Sequence, residues 1–217
     1  MRKYKSIIFD LDGTLLDTIQ DITNSINSTL VKYNFNIRYT TDDVCRFIGD
    51  GAKVLINRAL SPLNVSKELE DSFFKDYCKD YSAHRYDLTK PFDKVVEIVN
   101  TLIDNHYQIG IISNKPHHDT LGVVNLYFKD MFNIVYGKQD GIPTKPNPEI
   151  FYLIKDKHNL NTSDTLYIGD MKVDIEFAKN VNMDVCIVSY GYGKIKSDIG
   201  QNYTIENIED LLKILEV

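Results

Sequence analysis

The chain has 217 residues, of which 43% are hydrophobic, enough to build one large domain or a domain with an insert. Its formal net charge of -6 argues against a nucleic-acid partner, because nucleic-acid binders are usually basic. No apolar run approaches the roughly 20 residues of a membrane span or the about 7–15 of a secretory leader, so we expect no membrane partner. Three widely spaced cysteines without CxxC spacing agree with a reducing, cytoplasmic location.

Short apolar runs rich in β-branched residues recur along the chain and predict buried strands. Amphipathic helical segments lie between these runs. Such alternation is typical of an α/β fold, a Rossmann-like parallel sheet with helices on both faces. Ligands of such sheets bind beyond the carboxyl ends of the strands. The predicted strands cover residues 6–10, 107–113, 133–137, 165–170 and 184–189.

Residues 17–86 contain no convincing strand, and three runs of apolar residues at helical spacing occupy them instead. We therefore predict an all-helical cap of residues 17–86 inserted into a core of residues 1–16 and 87–217. An insert at the carboxyl end of a strand stands over the ligand crevice, so we expect it to act as a lid. Asp17 is the predicted N-cap of its first helix. The three helical runs cover residues 19–33, 54–60 and 69–81.

Two aspartates close the first predicted strand. Asp10 and Asp12 are two positions apart, so both carboxylates point to the same side of the strand, and Gly13 lets the chain turn tightly after them. Two like charges beside a buried strand are unfavourable unless another group offsets them. The pair therefore predicts a nearby positive charge.

Polar residues at three further places could complete such a site. The polar run Ser113-Asn114-Lys115 lies at the end of the second predicted strand, Lys145 precedes a helix, and Asp170 ends the fourth strand, with Asp174 four residues later. A hard divalent cation such as Mg²⁺ binds carboxylate oxygens and would offset their repulsion. Ser113, Lys145 and backbone N–H groups could bind a phosphate. The set therefore predicts a magnesium ion and a phosphoryl group in one crevice.

Four segments, in chain order, resemble the motifs of the haloacid dehalogenase-like hydrolase superfamily. They are FDLDGTLLDT, IISN, the lysine of TKPNPEIF, and IGDMKVDIEFAKN. The resemblance covers nearly the whole chain and implies a Rossmann-like core with a mobile helical cap. It also implies that Asp10 is the nucleophile, forming an aspartyl-phosphate, and that Asp12 is the general acid and then the general base.

The same resemblance implies roles for the other polar residues. Ser113 would hydrogen-bond the phosphoryl oxygens, and Lys145 would neutralise phosphate charge and orient Asp10. Magnesium would be the cofactor, and its expected ligands are Asp10, the backbone carbonyl of Asp12, and Asp170, with Asp174 supporting the cluster. Further residues expected at the substrate are Gly13, Thr14 and Asn114.

Two segments are similar to phosphoglycolate phosphatases, namely RFIGDGAKVLINRAL in the predicted cap and SYGYG near the end. The expected partner is therefore a small phosphorylated metabolite, with 2-phosphoglycolate as the first candidate. Gly49 belongs to a cap loop expected to close on the substrate. Arg46 and Lys53 are candidate binders of the substrate carboxylate, although a solvated lid face explains them equally well.

Other activities fit the same layout. Pyrophosphatases, sugar-phosphate phosphatases and β-phosphoglucomutases of this superfamily stay open as alternatives. Phosphonoacetaldehyde hydrolases carry a cap lysine placed similarly to Lys53, but they lack the second aspartate of the first motif, so Asp12 argues against them. A phospho-receiver signalling module belongs to a different class. The helical insert and Asp12 argue against it.

Overall fold

The computed structural model describes residues 3–195 and 197–217. Strands β1–β8 are Ser6–Phe9, Leu16–Asp17, Lys90–Pro91, Gln108–Pro116, Ile134–Lys138, Thr165–Gly169, Asp184–Val188 and Tyr203–Ile205. Helices α1–α9 are Ile19–Lys32, Thr41–Cys45, Ala52–Leu60, Lys67–His84, Val95–Asp104, His117–Tyr127, Glu149–Lys155, Lys172–Val181 and Asp210–Leu215. None of these helices combines the length and the apolarity that crossing a bilayer requires.

Six strands form a parallel sheet in the order β5-β4-β1-β6-β7-β8. Strand β1 lies inside the sheet between β4 and β6, and it is the continuous apolar run SIIF because both of its faces are covered. Ile7 and Phe9 pack in the apolar cluster that includes α5, α6 and α9, whereas Ile8 packs with α7 and α8. The predicted Rossmann-like sheet with helices on both faces is confirmed.

Several details differ from the predictions. The prediction that Asp17 caps the first helix is wrong, because Thr18 occupies the N-cap position and Asp17 is paired with Lys90 between β2 and β3. The Asp17 carboxylate instead accepts a hydrogen bond from the Tyr192 hydroxyl at 3.1 Å. Strand β4 continues to Pro116, beyond the predicted end at residue 113. The sequence does not predict the short elements α2, β8 and α9.

Helices α1–α4 lie between β2 and β3 and share an apolar cluster of their own. The two chain segments that lead into and out of these helices are joined by Asp21. Its carboxylate accepts hydrogen bonds from the backbone N–H groups of Leu88 and Thr89 and from the Thr89 hydroxyl, at 2.8–3.1 Å. Arg85, at the end of α4, contacts Asp119 of α6 at 3.1 Å. These contacts hold the four helices against the rest of the molecule.

Candidate active site

A tight turn after β1 places the first two aspartates. The backbone N–H of Asp10 donates to the carbonyl of Ile168 in β6 at 2.8 Å, which continues the sheet pairing one residue past the strand. Gly13 follows with a φ of +86°, and a Cβ built there would lie 2.4 Å from Oδ2 of Asp170. Only glycine therefore permits both this backbone conformation and the close approach of the Asp170 carboxylate.

Lys145 connects the aspartates at the ends of β1 and β6. Its Nζ lies 2.9 Å from Oδ1 of Asp10 and 2.8 Å from Oδ1 of Asp174, and it donates to the Tyr167 hydroxyl at 2.7 Å. Lys145 is only 2% exposed. Burial by itself would lower the pKa of this lysine, but the Asp10 and Asp174 carboxylates raise it well above its ordinary value. The ammonium therefore remains charged inside the protein.

Asp10, Asp170 and Asp174 form what we call the acid cluster. One carboxylate oxygen from each lies within 4.8 Å of the others, and all three residues are buried. Asp170 accepts hydrogen bonds from the backbone N–H of Tyr192 at 2.7 Å and from the Thr14 hydroxyl at 3.3 Å. Burial raises the pKa of Asp10 to about 6 against the opposing effect of Lys145. Burial and the neighbouring carboxylates raise the pKa of Asp170 well above its ordinary value.

The acid cluster suits a metal ion. Oδ1 of Asp10 is buried, yet it accepts no hydrogen bond from the described residues, because Lys145 approaches it outside the direction of a hydrogen bond. Three carboxylates around one lysine also leave an excess of negative charge that is costly in a buried setting. A hard divalent cation takes oxygen ligands of this kind and would remove that excess. The cluster could therefore bind a metal ion.

The end of β4 brings three segments together. Asn114 donates from Nδ2 to the carbonyl of Gly49, in the loop before α3, at 2.9 Å, and to the carbonyl of Lys145 at 3.0 Å. Its Oδ1 accepts from the backbone N–H of Lys145 at 2.7 Å. The neighbouring Ser113 is buried, and its hydroxyl lies on the same strand end. One side chain thus fixes the Lys145 loop and a loop of the helical segment relative to β4.

Lys115 contacts the site, although the sequence analysis gives it no role beyond its place in the polar run of the second strand. Its Nζ donates to both carboxylate oxygens of Asp12, at 2.9 and 3.1 Å, and to the hydroxyl of Tyr81 on α4 at 2.5 Å. Lys115 is 6% exposed and follows Ser113 and Asn114 on β4. A lysine directly after an apolar strand, in the polar run SNK, is the signal that could have identified it.

A cavity of about 630 Å³, counting its open mouth, lies between these strand ends and the helices α1, α3 and α4. Asp10, Asp12, Ser113 and Asn114 line one side of it. The opposite side is mainly apolar and aromatic, and Gly49 contributes to it as well. The larger side chains on that side are Ile22, Ile48, Leu55, Tyr77 and Tyr81.

Arg46 and Lys53 are not brought to this cavity. The Lys53 Nζ lies 2.5 Å from Oδ1 of Asp71 and 3.4 Å from Glu70, within the helical segment itself. The Arg46 side chain is 75% exposed and approaches Asp43 at 3.7 Å. Neither residue is among those that line the cavity. The structure therefore keeps these two predicted carboxylate binders apart from the other site residues.

Known proteins are similar to this chain over most of its length. A phosphoglycolate phosphatase of Colwellia psychrerythraea is 30% identical over 220 residues, which cover 98% of this chain and 97% of that protein. One of Haemophilus influenzae is 30% identical over 197 residues, covering 88% of each chain. The crystal structure of a protein described as a predicted phosphoglycolate phosphatase, from Haemophilus somnus, superposes with a TM-score of 0.91 at 27% identity, covering 99% of both chains.

The sequence profile that describes haloacid dehalogenase-like hydrolases matches residues 7–188, from β1 to the end of β7. That range contains the acid cluster, Lys145 and the polar end of β4. These residues lie at or beside the carboxyl ends of neighbouring parallel strands. The match to the profile shows that the chain belongs to the haloacid dehalogenase-like hydrolase family, and its relatives show that it is a phosphatase.

Proposed function

We propose that this phosphatase hydrolyses small phosphomonoesters through an aspartyl-phosphate on Asp10, with Mg²⁺ as cofactor and 2-phosphoglycolate as the first candidate substrate. The observation that carries the proposal is the contact of the buried Lys145 ammonium with both Asp10 and Asp174, at 2.9 and 2.8 Å, beside the cavity. The choice of substrate rests on the phosphoglycolate phosphatases to which the chain is similar.

In the first half-reaction, a carboxylate oxygen of Asp10 attacks the phosphorus, and the bond from phosphorus to the leaving oxygen breaks. Asp12 donates a proton to that oxygen, so the product leaves as a neutral hydroxyl group. In the second half-reaction, the Asp12 carboxylate takes a proton from a water molecule as the water oxygen attacks the phosphorus. The bond from phosphorus to Asp10 then breaks, inorganic phosphate leaves, and both aspartates return to their starting forms.

Other residues would bind the phosphoryl group. The Ser113 hydroxyl and the Lys145 ammonium would contact its oxygens, since Ser113 lines the cavity together with Asp10 and the buried Lys145 Nζ lies 2.9 Å from Asp10. Gly13 and Thr14 would act indirectly by shaping the turn after β1, because their backbone N–H groups already donate to the carbonyls of Leu16 and Leu11. Asn114 would act indirectly, because its amide is already bonded to the Lys145 backbone.

The metal would be held by Asp10, Asp170 and the backbone carbonyl of Asp12. Asp174 would support them, since its carboxylate accepts from the backbone N–H of Asp170 at 3.2 Å and from Lys145 at 2.8 Å. When bound, Mg²⁺ would supply positive charge that offsets the charge of the phosphoryl oxygens and of Asp10.

We also propose that residues 17–86 act as a cap on a core of residues 1–16 and 87–217. In support, helices α1–α4 have an apolar cluster of their own, and the chain enters and leaves them side by side through β2 and β3. Such a cap would shield the phosphoryl transfer from bulk water and would contact the leaving group. The cavity lies between these helices and the carboxylates of Asp10 and Asp12, so a substrate bound there would contact both regions.

The test is phosphate release, with Mg²⁺, from 2-phosphoglycolate, pyrophosphate, hexose phosphates and phosphonoacetaldehyde. We expect the highest kcat/KM for 2-phosphoglycolate and a loss of at least about 1,000-fold in kcat for Asp10→Asn, because the nucleophile is removed. Asp156→Asn is the matched control, since that acid is 91% exposed and lies away from the cavity.

Two outcomes would contradict different parts of the proposal. If the wild type releases phosphate from none of these compounds, or if Asp10→Asn retains full activity, the aspartyl-phosphate chemistry is wrong. If the wild type strongly prefers a hexose phosphate or pyrophosphate, the chemistry stands and the choice of 2-phosphoglycolate is wrong.

A further inference from the structure

The cavity presents few positive charges to a substrate. Among the described residues that line it, Lys115 alone has a cationic side chain, whereas Asp10, Asp12 and Asp119 are acidic. Lys145 is outside that lining and is occupied by the acid cluster. An anionic group on the leaving side of a substrate therefore has a single favourable place to bind, next to Lys115.

The remaining wall would not receive such a group. Apolar side chains offer no hydrogen bonds to a carboxylate, and burying a charge without a partner is costly. Asp119 would repel it, and that residue is already paired with Arg85 at 3.1 Å and with the Ser82 hydroxyl at 2.7 Å. Arg85 is thus also engaged, so it offers no second cation to the cavity.

Lys115 is also placed at the correct distance from the reacting atoms. Its Nζ donates to the carboxylate of Asp12, which in the proposed function protonates the leaving oxygen. Two successive hydrogen bonds of about 3 Å each put the leaving oxygen within roughly 6 Å of Nζ. In a phosphorylated 2-hydroxy acid, the carboxylate is attached to the carbon that bears this oxygen. The carboxylate and the ammonium are therefore within reach of each other.

We propose that Lys115 is the specificity-determining residue of this phosphatase, selecting substrates whose leaving group carries a carboxylate next to the phosphorylated carbon. This inference rests on the proposed function and assigns to Lys115 the role first considered for Arg46 and Lys53. An ammonium has three donors, which Lys115 uses for the two Asp12 oxygens and the Tyr81 hydroxyl. It can keep one Asp12 oxygen and Tyr81 as partners while the hydrogen released from the other Asp12 oxygen binds the substrate carboxylate. Burial of the ammonium strengthens that contact.

Tyr81 anchors the lysine from the cap side. Its hydroxyl accepts from Nζ at 2.5 Å, and its ring is stacked on Tyr77 at 6.0 Å between centroids. Because Tyr81 is 4% exposed and packed in the apolar cluster of α1–α4, the position of the ammonium depends on the helices above it. The selecting charge comes from the core, but a cap residue orients it.

The experiment compares two esters of equal length, 2-phosphoglycolate and 2-hydroxyethyl phosphate, in which a hydroxymethyl group replaces the carboxylate. We expect the wild type to prefer 2-phosphoglycolate in kcat/KM. In Lys115→Met, that preference should fall by about 10- to 100-fold, the loss that accompanies removal of one hydrogen bond between charged groups. Lys115→Arg should keep most of the preference, because the positive charge is retained.

The ratio of the two kcat/KM values separates selection from positioning. Loss of Lys115 also disturbs Asp12 and should slow both esters, but this common effect cancels in the ratio. An equal loss on both esters would mean that Lys115 acts only through Asp12, and the proposal would be overturned. Arg46→Met and Lys53→Met are matched controls that remove a charge outside the cavity. A collapse of the ratio in either one would also overturn the proposal.

Two further outcomes are distinguishable. A wild type that hydrolyses both esters equally well would refute the role of Lys115 and leave the proposed phosphomonoesterase activity intact, whereas a wild type inactive on every ester would refute that activity itself. If thermal melting shows that Lys115→Met does not fold, the same kcat/KM ratio is measured for Tyr81→Phe, which removes the hydroxyl that accepts from Lys115. A ratio lowered several-fold supports the proposal, and an unchanged ratio overturns it.

Discussion

The strand ends and the helices α1–α4 face each other across one cavity, and they use charge differently. At the strand ends, buried carboxylates and lysines contact one another, as Lys145 does with Asp10 and Asp174. On the helices, charged residues pair with one another near the surface, as Lys53 does with Asp71, and apolar residues face the cavity. In the proposed function, the strand ends would bind the transferred phosphoryl group, and the helices would contact what is attached to it.

The same difference in burial determines how much each charged pair contributes to the stability of the protein. A buried charge that loses its partner is left without compensation, which destabilises a protein by several kcal/mol. An exposed ion pair contributes little, because water and salt screen it. Substitutions at the strand ends and on the helices should therefore differ in both activity and stability, and the following experiments measure that difference.

Lys145→Met should have the largest effect. The side chain is nearly isosteric, but two buried carboxylates lose their shared cation, so we expect a loss of about 3–5 kcal/mol in the free energy of unfolding. The kcat should fall by about 100- to 1,000-fold, because in the proposed function Lys145 contacts the phosphoryl oxygens and that charge is removed. Urea unfolding and steady-state kinetics measure the two quantities. A change in the free energy of unfolding below about 1 kcal/mol would show that the strand ends resemble the helices α1–α4 in stability.

Adding Mg²⁺ should have the next largest effect. A ligand that binds only the folded protein stabilises it by about 2.7 kcal/mol at 100 times its dissociation constant. For a chain of this length, that corresponds to a rise in Tm of roughly 5–11 °C. Asp170→Asn should abolish the rise because it removes a carboxylate of the acid cluster. An equal rise in both proteins would place the metal elsewhere.

Asp21→Asn should weaken the junction between the two regions. The substitution keeps the size of the side chain but removes the carboxylate that accepts from Leu88 and Thr89, at a cost of about 1–3 kcal/mol. Thermal unfolding measures the loss, and Asp156→Asn serves as the exposed control. If the two variants melt alike, the Asp21 contacts do not hold the helices in place.

Lys53→Met should have the smallest effect. Its ion pair with Asp71 is partly exposed, with relative exposures of 38% and 51% for the two side chains, so a loss of at most about 1 kcal/mol is expected. The kcat/KM for 2-phosphoglycolate should change by no more than about 3-fold, because that loss of stability leaves the enzyme folded. A loss of stability and activity comparable to that of Lys145→Met would mean that Lys53 acts in the active site. The difference between the two regions would then not hold.

Much of the site was predictable because it depends on local pattern. Buried parallel strands are apolar on both faces, so runs such as residues 6–10 identify them without knowledge of their neighbours. Side chains two positions apart share a side, which places Asp10 beside Asp12. Since parallel strands end at one edge of the sheet, Ser113 and Asp170 are expected at the same edge as that pair. Their closeness to it follows from the strand order, in which β4 and β6 flank β1.

The short elements were less predictable. Helix α2 and helix α9 have five and six residues, and β8 has three, too few for a periodicity to be recognised. The wrong assignment of Asp17 has a related cause. Aspartate is a common N-cap residue, but antiparallel pairing with Lys90, far along the chain, keeps this one extended.

By itself, the sequence determined the fold class, the residues at the strand ends and the class of chemistry, since these follow from local periodicity and residue type. Only the tertiary structure decided which cations reach the cavity. Lys115 meets Tyr81 across 34 residues, and Lys53 turns to Asp71 across 18. A helical pattern identifies the apolar face of a helix. The partner of each charged side chain, however, depends on how distant segments pack, and no local pattern encodes that packing.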